Sequence, residues 1–222
     1  MPIDADLCTP FLTELDVSGA AVSMFGGAAS ETLVCASNPL AARIDELQFD
    51  LGEGPRWEAL RTRLPVLVPN VHDIAPYSWP AFTEAVVATD AAALFVFPLI
   101  IGALDLGVVD LHRTKPGTLS HTDFTTAGVL AGQAAWQLLR RVLAVNPETG
   151  PADEAALMSR REIHQATGMV LAQSGTSAAD ALLLLRAHAF ANSSTLCETA
   201  NEVLLGRLSF ASRDDPHVSG RQ

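Results

Sequence analysis

Lysine is nearly missing from this chain: 13 of its 14 basic residues are arginine, and Lys115 is the exception. That excludes a polybasic tract, the usual means of holding nucleic acid or an anionic membrane by bulk charge. Negative charge dominates at −11 overall, but unevenly. Up to residue 150 there are 8 basic against 17 acidic residues, and after it 6 against 8, so the last third is close to neutral. Cysteine is also scarce. Cys8, Cys35 and Cys197 are widely spaced with no C-x-x-C pair, so neither a disulfide framework nor a cysteine zinc site is expected, and a reducing cytoplasm is the expected address. Long apolar runs are lacking too. The longest, residues 91–104, has 14 residues broken by Pro98, short of the roughly 18 a membrane span requires, and reads as one or two buried strands. The first six residues carry no basic flank and no apolar stretch follows them, so no secretion signal is expected. No nucleophile–base pair and no converging carboxylates stand out, so no catalytic residue, metal or cofactor is assigned. His72 and His112 stand alone and read as structural.

What is present is core material. Apolar residues make up 49% of the 222, enough for two modest domains. Up to about residue 120 the pattern mixes short β-rich runs with short helical ones. Strands are expected over 20–25 and 31–37 around a Gly-Gly turn, over 65–69 with edge-forming prolines, and over 93–101 and 104–111 around Gly102-Ala103. Helices are expected over 41–48, 53–61 and 79–89. That order implies an α+β domain with an antiparallel sheet. From Ser120 the apolar period lengthens to three and four, through Phe124, Ala127, Leu130, Ala131, Ala134, Leu138, Leu139 and Val142, as in a long amphipathic helix. Its leucine and alanine face has two readings that can hold at once: a dimer surface, and packing on the preceding sheet.

Two prolines and a glycine within residues 146–151 break the chain. Beyond them, helices are expected over 153–173, 177–191 and 195–208, separated by turns of roughly three to five residues, as in a small bundle. The residues after 211 read as a loose tail.

The run Ile163-His164-Gln165-Ala166-Thr167-Gly168-Met169-Val170-Leu171, with Ser177-Ala178-Ala179-Asp180-Ala181, Leu185-Arg186, Ala189, Asn192, Leu196 and Ala200-Asn201-Glu202-Val203, resembles an ANTAR domain. That family is a three-helix RNA-binding output module of bacterial regulators. The earlier stretches Leu51-Gly52-Glu53-Gly54-Pro55, Pro65-Val66, Trp79-Pro80-Ala81-Phe82, Phe97-Pro98-Leu99, Leu106-Gly107-Val108-Val109-Asp110-Leu111 and Leu119-Ser120-His121-Thr122-Asp123 resemble a GAF domain. The whole is similar to GAF–ANTAR regulators. The fold class so implied is α+β, a GAF-like antiparallel sheet flanked by helices followed by an ANTAR-like three-helix bundle. The boundaries are 1–145 for the sensor domain, 146–151 for the Pro/Gly break, 152–210 for the RNA-binding domain and 211–222 for a flexible tail.

The resemblance implies a transcription antitermination regulator that binds hairpins in nascent leader transcripts, acts as a homodimer in the cytoplasm, and takes an unknown small ligand in its GAF half. Neither membrane nor DNA is an expected partner. The residues implied for RNA are Arg160, Arg161, Gln165, Ala166, Thr167, Gly168 and Arg186, with Thr167 where the family usually has lysine. Gly168, costing a helix about 0.8–1 kcal/mol against alanine, is explained either by tight helix packing or by close approach of RNA backbone. Arg186 either covers the apolar face with its stem or forks onto phosphate or a splayed base. For the small ligand, Tyr77, Trp79, Phe82, Phe95 and Phe97 are candidate pocket residues, with plain core as the alternative. A DNA-reading last helix is disfavoured, because residues 195–208 set Glu198 and Glu202 against Arg207. The competing function is a sensory or scaffold protein whose helical module has lost RNA binding and makes protein contacts.

Overall fold

Residues 93–101 and 104–111 carry apolar side chains at both parities, so the strands they form must be covered on both faces. The computed structural model, which describes residues 7–26, 30–75, 77–144, 154–192 and 194–211, shows how. Strands β1 (Gly19–Gly26), β2 (Ser30–Ala36), β3 (Val66–Val68), β4 (Ala93–Ile101) and β5 (Leu104–Arg113) form one sheet in the order β2-β1-β5-β4-β3. Every neighbouring pair is antiparallel. The β4–β5 pair turns through Gly102 and Ala103, Gly102 taking the left-handed backbone a two-residue hairpin demands. β3 lies at an edge between Pro65 and Pro69, neither of which could donate to a second neighbour.

Strand parity sorts the core. Ala93, Phe95, Phe97 and Leu99 of β4, Val109 and Leu111 of β5 and Ala20 and Val22 of β1 face one side. There they meet α1 (Thr9–Glu14) and the long α5 (His121–Ala144). Leu94, Val96 and Val108 face the other side, toward α2 (Pro39–Leu51), α3 (Pro55–Thr62) and α4 (Pro80–Val87). Of the two readings of the α5 apolar face, packing on the sheet holds: Ala127, Leu130, Ala131, Ala134 and Leu138 are all buried in that core. A dimer surface, if it uses α5, must use the opposite side. α1 escapes the sequence pattern because six residues hold too few turns to show a period.

Cysteine pairing corrects an expectation. Cys8 and Cys35 are joined in a disulfide. Their separation of 27 residues gives no hint of it, but α1 packs on β1, the sheet neighbour of β2, and the two Cα atoms come within 6.2 Å, inside the span a disulfide bridges.

The second compact unit begins at residue 153. Its helices are α6 (Glu154–Ser174), α7 (Ala178–Ala191) and α8 (Leu196–Leu204). Ser177 caps α7 by accepting from the Asp180 amide, and Thr195 with Glu198 forms a reciprocal capping box on α8. α8 stops short of the expected residue 208 because Gly206 turns left-handed and the amides of Arg207 and Leu208 fold back onto the Glu202 carbonyl. The expected break at 146–151 and the tail beyond residue 211 lie outside the described residues. Among those described, no single helix is long and apolar enough to cross a membrane.

Candidate functional site

In the second unit, α6 divides by helical period. Ile163, Ala166, Thr167 and Val170 turn inward and pack with Ala181, Leu185 and Ala189 of α7 and Leu196, Thr199, Ala200 and Val203 of α8. Thr167 is 8% exposed and its hydroxyl donates to the Ile163 carbonyl at 2.7 Å. The opposite stripe, Arg161, Gln165, Gly168, Met169 and Ala172, is exposed. A Cβ built on Gly168 meets nothing within 4 Å. Helix packing therefore does not account for this glycine, and its missing side chain leaves open surface.

The charges on and just after α8 are satisfied locally. Arg207 forks onto Glu202, its Nε and Nη2 donating at 2.9 and 2.6 Å. The backbone amide of Thr195, followed by its hydroxyl, hydrogen-bonds the Glu198 carboxylate and holds it below its usual carboxylate range. The end of the bundle closes where the Phe210 amide donates to Gln173 and the Phe210 ring meets His188 edge-on. Phe190, in contrast, is 73% exposed.

In the first unit, α2 and α3 carry a polar knot onto the sheet. Gly52 ends α2 in the left-handed region and Gly54, at φ 124°, turns the chain back so closely that a Cβ there would strike the Gln48 side chain. Glu53 caps α4 by accepting from the Ala81 amide. Pro55 starts α3, and Arg56 enters the core fully buried. Its guanidinium donates to Glu31 of β2, Asp45 of α2 and, at 2.6 Å through Nη2, Asp110 of β5. Gln48 accepts from the Arg56 amide and donates to Asp110, both at 2.8 Å. Burial alone would lower the guanidinium pKa, but Asp110, Asp45 and Glu31 outweigh it and raise it further. The sequence stretch Leu51-Gly52-Glu53-Gly54-Pro55 thus exists to seat the residue that follows it.

Residues 5–136 match the family model of the GAF domain, more than half of the chain, and residues 153–204 match that of the ANTAR domain. The chain belongs to the GAF–ANTAR family. It is built as a regulator, a GAF sensory domain followed by an ANTAR domain. The fold of the GAF domain has a parallel in the GAF domain region of a protein from Geobacter sulfurreducens PCA, at 16% identity and a TM-score of 0.51, covering 61% of this chain and 89% of that one. The GAF domain of a two-component sensor histidine kinase from Bacillus halodurans matches at 14% identity and a TM-score of 0.48, over 64% of this chain and 94% of that one. Among curated proteins none matches.

The ANTAR stripe gathers three of the seven residues implied for RNA: Arg161, Gln165 and Gly168. Ala166 and Thr167 lie on the buried side, so threonine takes the place of lysine at a position that faces the bundle. Arg186 is half-buried, and the side chain of Arg160 lies outside the described residues. The five GAF aromatics are not brought together. Phe95 and Phe97 pack toward α1 and α5, under Arg113 and against Phe124 respectively. Phe82 and Trp79 belong to the core on the other face of the sheet, and Tyr77 is 87% exposed. Trp79 also borders an open groove of about 350 Å³ with Asn70, Asp73 and Ser78. Sequence reasoning passed over Arg56, because a buried arginine leaves no mark in composition.

Proposed function

We propose that this chain is an RNA-binding transcription antitermination regulator whose ANTAR domain grips hairpins in nascent leader transcripts through the exposed stripe of α6. The observation that carries the reading is Gly168. A mid-helix glycine costs about 1 kcal/mol against alanine, and among the described residues no contact at Gly168 offsets that cost. A smooth patch set between Gln165, Met169 and Arg161 suits a phosphate–sugar backbone that must come close to the helix. Gln165 supplies hydrogen bonds there, Arg161 supplies charge, and the exposed Phe190 ring offers one unstacked base a platform. Arg186 is a further contact from α7.

The mechanism is mass action. A protein that binds the antiterminating fold of a leader and not the terminator shifts the RNA equilibrium by its differential affinity for the two. Two hairpins call for a homodimer, since linking two weak contacts raises their effective concentration. On α5, Thr125, Val129, Gly132, Trp136 and Leu143 are exposed on the side away from the sheet, at steps of four, three, four and seven, a spacing a two-helix seam can use. We assign the subunit contact to that seam. The GAF domain takes the signal, with the Trp79 groove as its small-ligand site. The reading gives the chain no catalytic step and sets it in the cytoplasm, where transcripts are made.

Exposed apolar Leu183 and Phe190 on α7 favour a second reading, in which the bundle makes protein contacts instead. Sequencing the RNA that co-purifies with the chain from its own cells separates the two. Enrichment of paired leader hairpins supports antitermination, and the absence of enriched RNA supports the scaffold.

A further inference from the structure

We propose that Cys8 and Cys35 form a thiol–disulfide exchange site: oxidised, it pins α1 against the sheet, and reduced, it lets α1 go. The cellular setting rests on the antitermination reading above. A protein that works on nascent transcripts operates among thiols that keep cysteines reduced, and a disulfide found there is as a rule transient and redox-sensing.

The position of the pair suits such a site. Cys35 lies on β2, the edge strand, and is half-buried, whereas Cys8 is buried at the start of α1. A thiol from solvent therefore meets the Cys35 sulfur first. α1 has six residues, too few to hold as a helix unaided. Its N-cap is Cys8 itself, which gives no side-chain cap. Apolar burial of Leu7, Phe11 and Leu15 also holds α1 in place.

The exchange balances with a low-molecular-weight thiol/disulfide couple as co-reactant. A thiolate attacks Cys35 Sγ, the Cys35–Cys8 bond breaks, and the electron pair leaves on Cys8 Sγ, which takes a proton. A second thiolate then attacks the small-molecule sulfur of the mixed disulfide and the electron pair leaves on Cys35 Sγ, which takes a proton, giving two protein thiols and one small-molecule disulfide. The oxidised form of the couple drives the reverse. Opening the bond loosens one wall of the cleft of about 550 Å³ between Thr9 and Thr13 of α1 and Val129 and Gln133 of α5. Val129 belongs to the α5 seam assigned to the subunit contact, so the redox state acts on the surface that pairs the subunits.

The test uses the full chain carrying Cys197→Ser, so that two thiols are counted. The protein is equilibrated with glutathione and its disulfide at graded ratios, quenched by alkylation, and followed by mass and by hydrogen exchange in α1. The expected result is reversible opening by glutathione alone, with α1 amides exchanging at least ten-fold faster in the reduced form while β4 and β5 stay protected. Cys35→Ser and Cys8→Ala should both show the faster exchange at every ratio. A bond that resists glutathione until the protein is denatured overturns the proposal, and so does equal α1 exchange in both states. Leader hairpin is added to the same samples: failure to bind it at any ratio defeats the antitermination reading, and the thiol and exchange measurements still decide this one.

Discussion

Gly168 and His112 carry opposite lessons about single residues. Gly168 is a local defect with no packing partner among the described residues, and Gly168→Ala should repair it. We predict that the substitution raises the stability of the bundle by up to about 1 kcal/mol and weakens hairpin binding at least ten-fold, because the new methyl projects from the stripe proposed to meet RNA. Thermal melting and gel shift on the same preparation check both signs; tighter or unchanged binding would remove Gly168 from the interface. His112 is a buried group that fits its surroundings only when neutral. It lies on the α2 face of β5, its ring over Gly19, where a Cβ would come within 2.2 Å of Cε1. Nε2 finds no hydrogen-bond partner among the described residues. Burial lowers its pKa from 6.5 to about 4. The unfolded chain then binds a proton that the folded chain refuses, so the stability from this site is complete above pH 6.5 and drains away as the pH falls toward 4. The most this site can remove is about 3 kcal/mol. Urea unfolding between pH 7.5 and 5 should show a decline that His112→Phe flattens.

At the scale of elements, α5 answers two demands at once. Its Ala127–Leu130–Ala134–Leu138 side is spent on the sheet, which leaves the seam through Trp136, 57% exposed, for a partner. We expect Trp136→Arg to halve the mass seen by light scattering with little change in the melting temperature; a wild-type chain that is monomeric at every concentration would dismiss the seam. The sequence made such elements legible where their period was long or their turns were marked. The β4–β5 hairpin announced itself through Gly102, the long helix through its three-and-four spacing, and the helices of the bundle through the Ser177 and Thr195 caps. From these elements the α+β class followed, and from the motifs on them, the family. Side-chain direction was harder to read. The five aromatics looked like one pocket because the strand bearing Phe95 and Phe97 had not been phased: its odd positions face α5, whereas Phe82 sits across the sheet. Thr167 looked like a surface substitution until α6 was phased, and Arg56 became visible only when three separate strands and helices brought their carboxylates to it. Contacts between residues 27 apart, as in Cys8 and Cys35, have no period to betray them.

For the molecule as a whole, the central claim is that an acidic, lysine-poor protein recognises RNA by the contour of a near-neutral helix face and not by a field of charge. Only a few arginines can reach phosphates, whereas the GAF domain carries most of the negative charge. Shape recognition of this kind predicts weak dependence on salt. The decisive measurement is a titration of the intact protein with a leader hairpin across ionic strength. With about 3–5 phosphates neutralised per bundle, log Kobs should fall against log salt with a slope of roughly −2 to −4. A slope near −10, or no binding to any hairpin at low salt, would contradict the account.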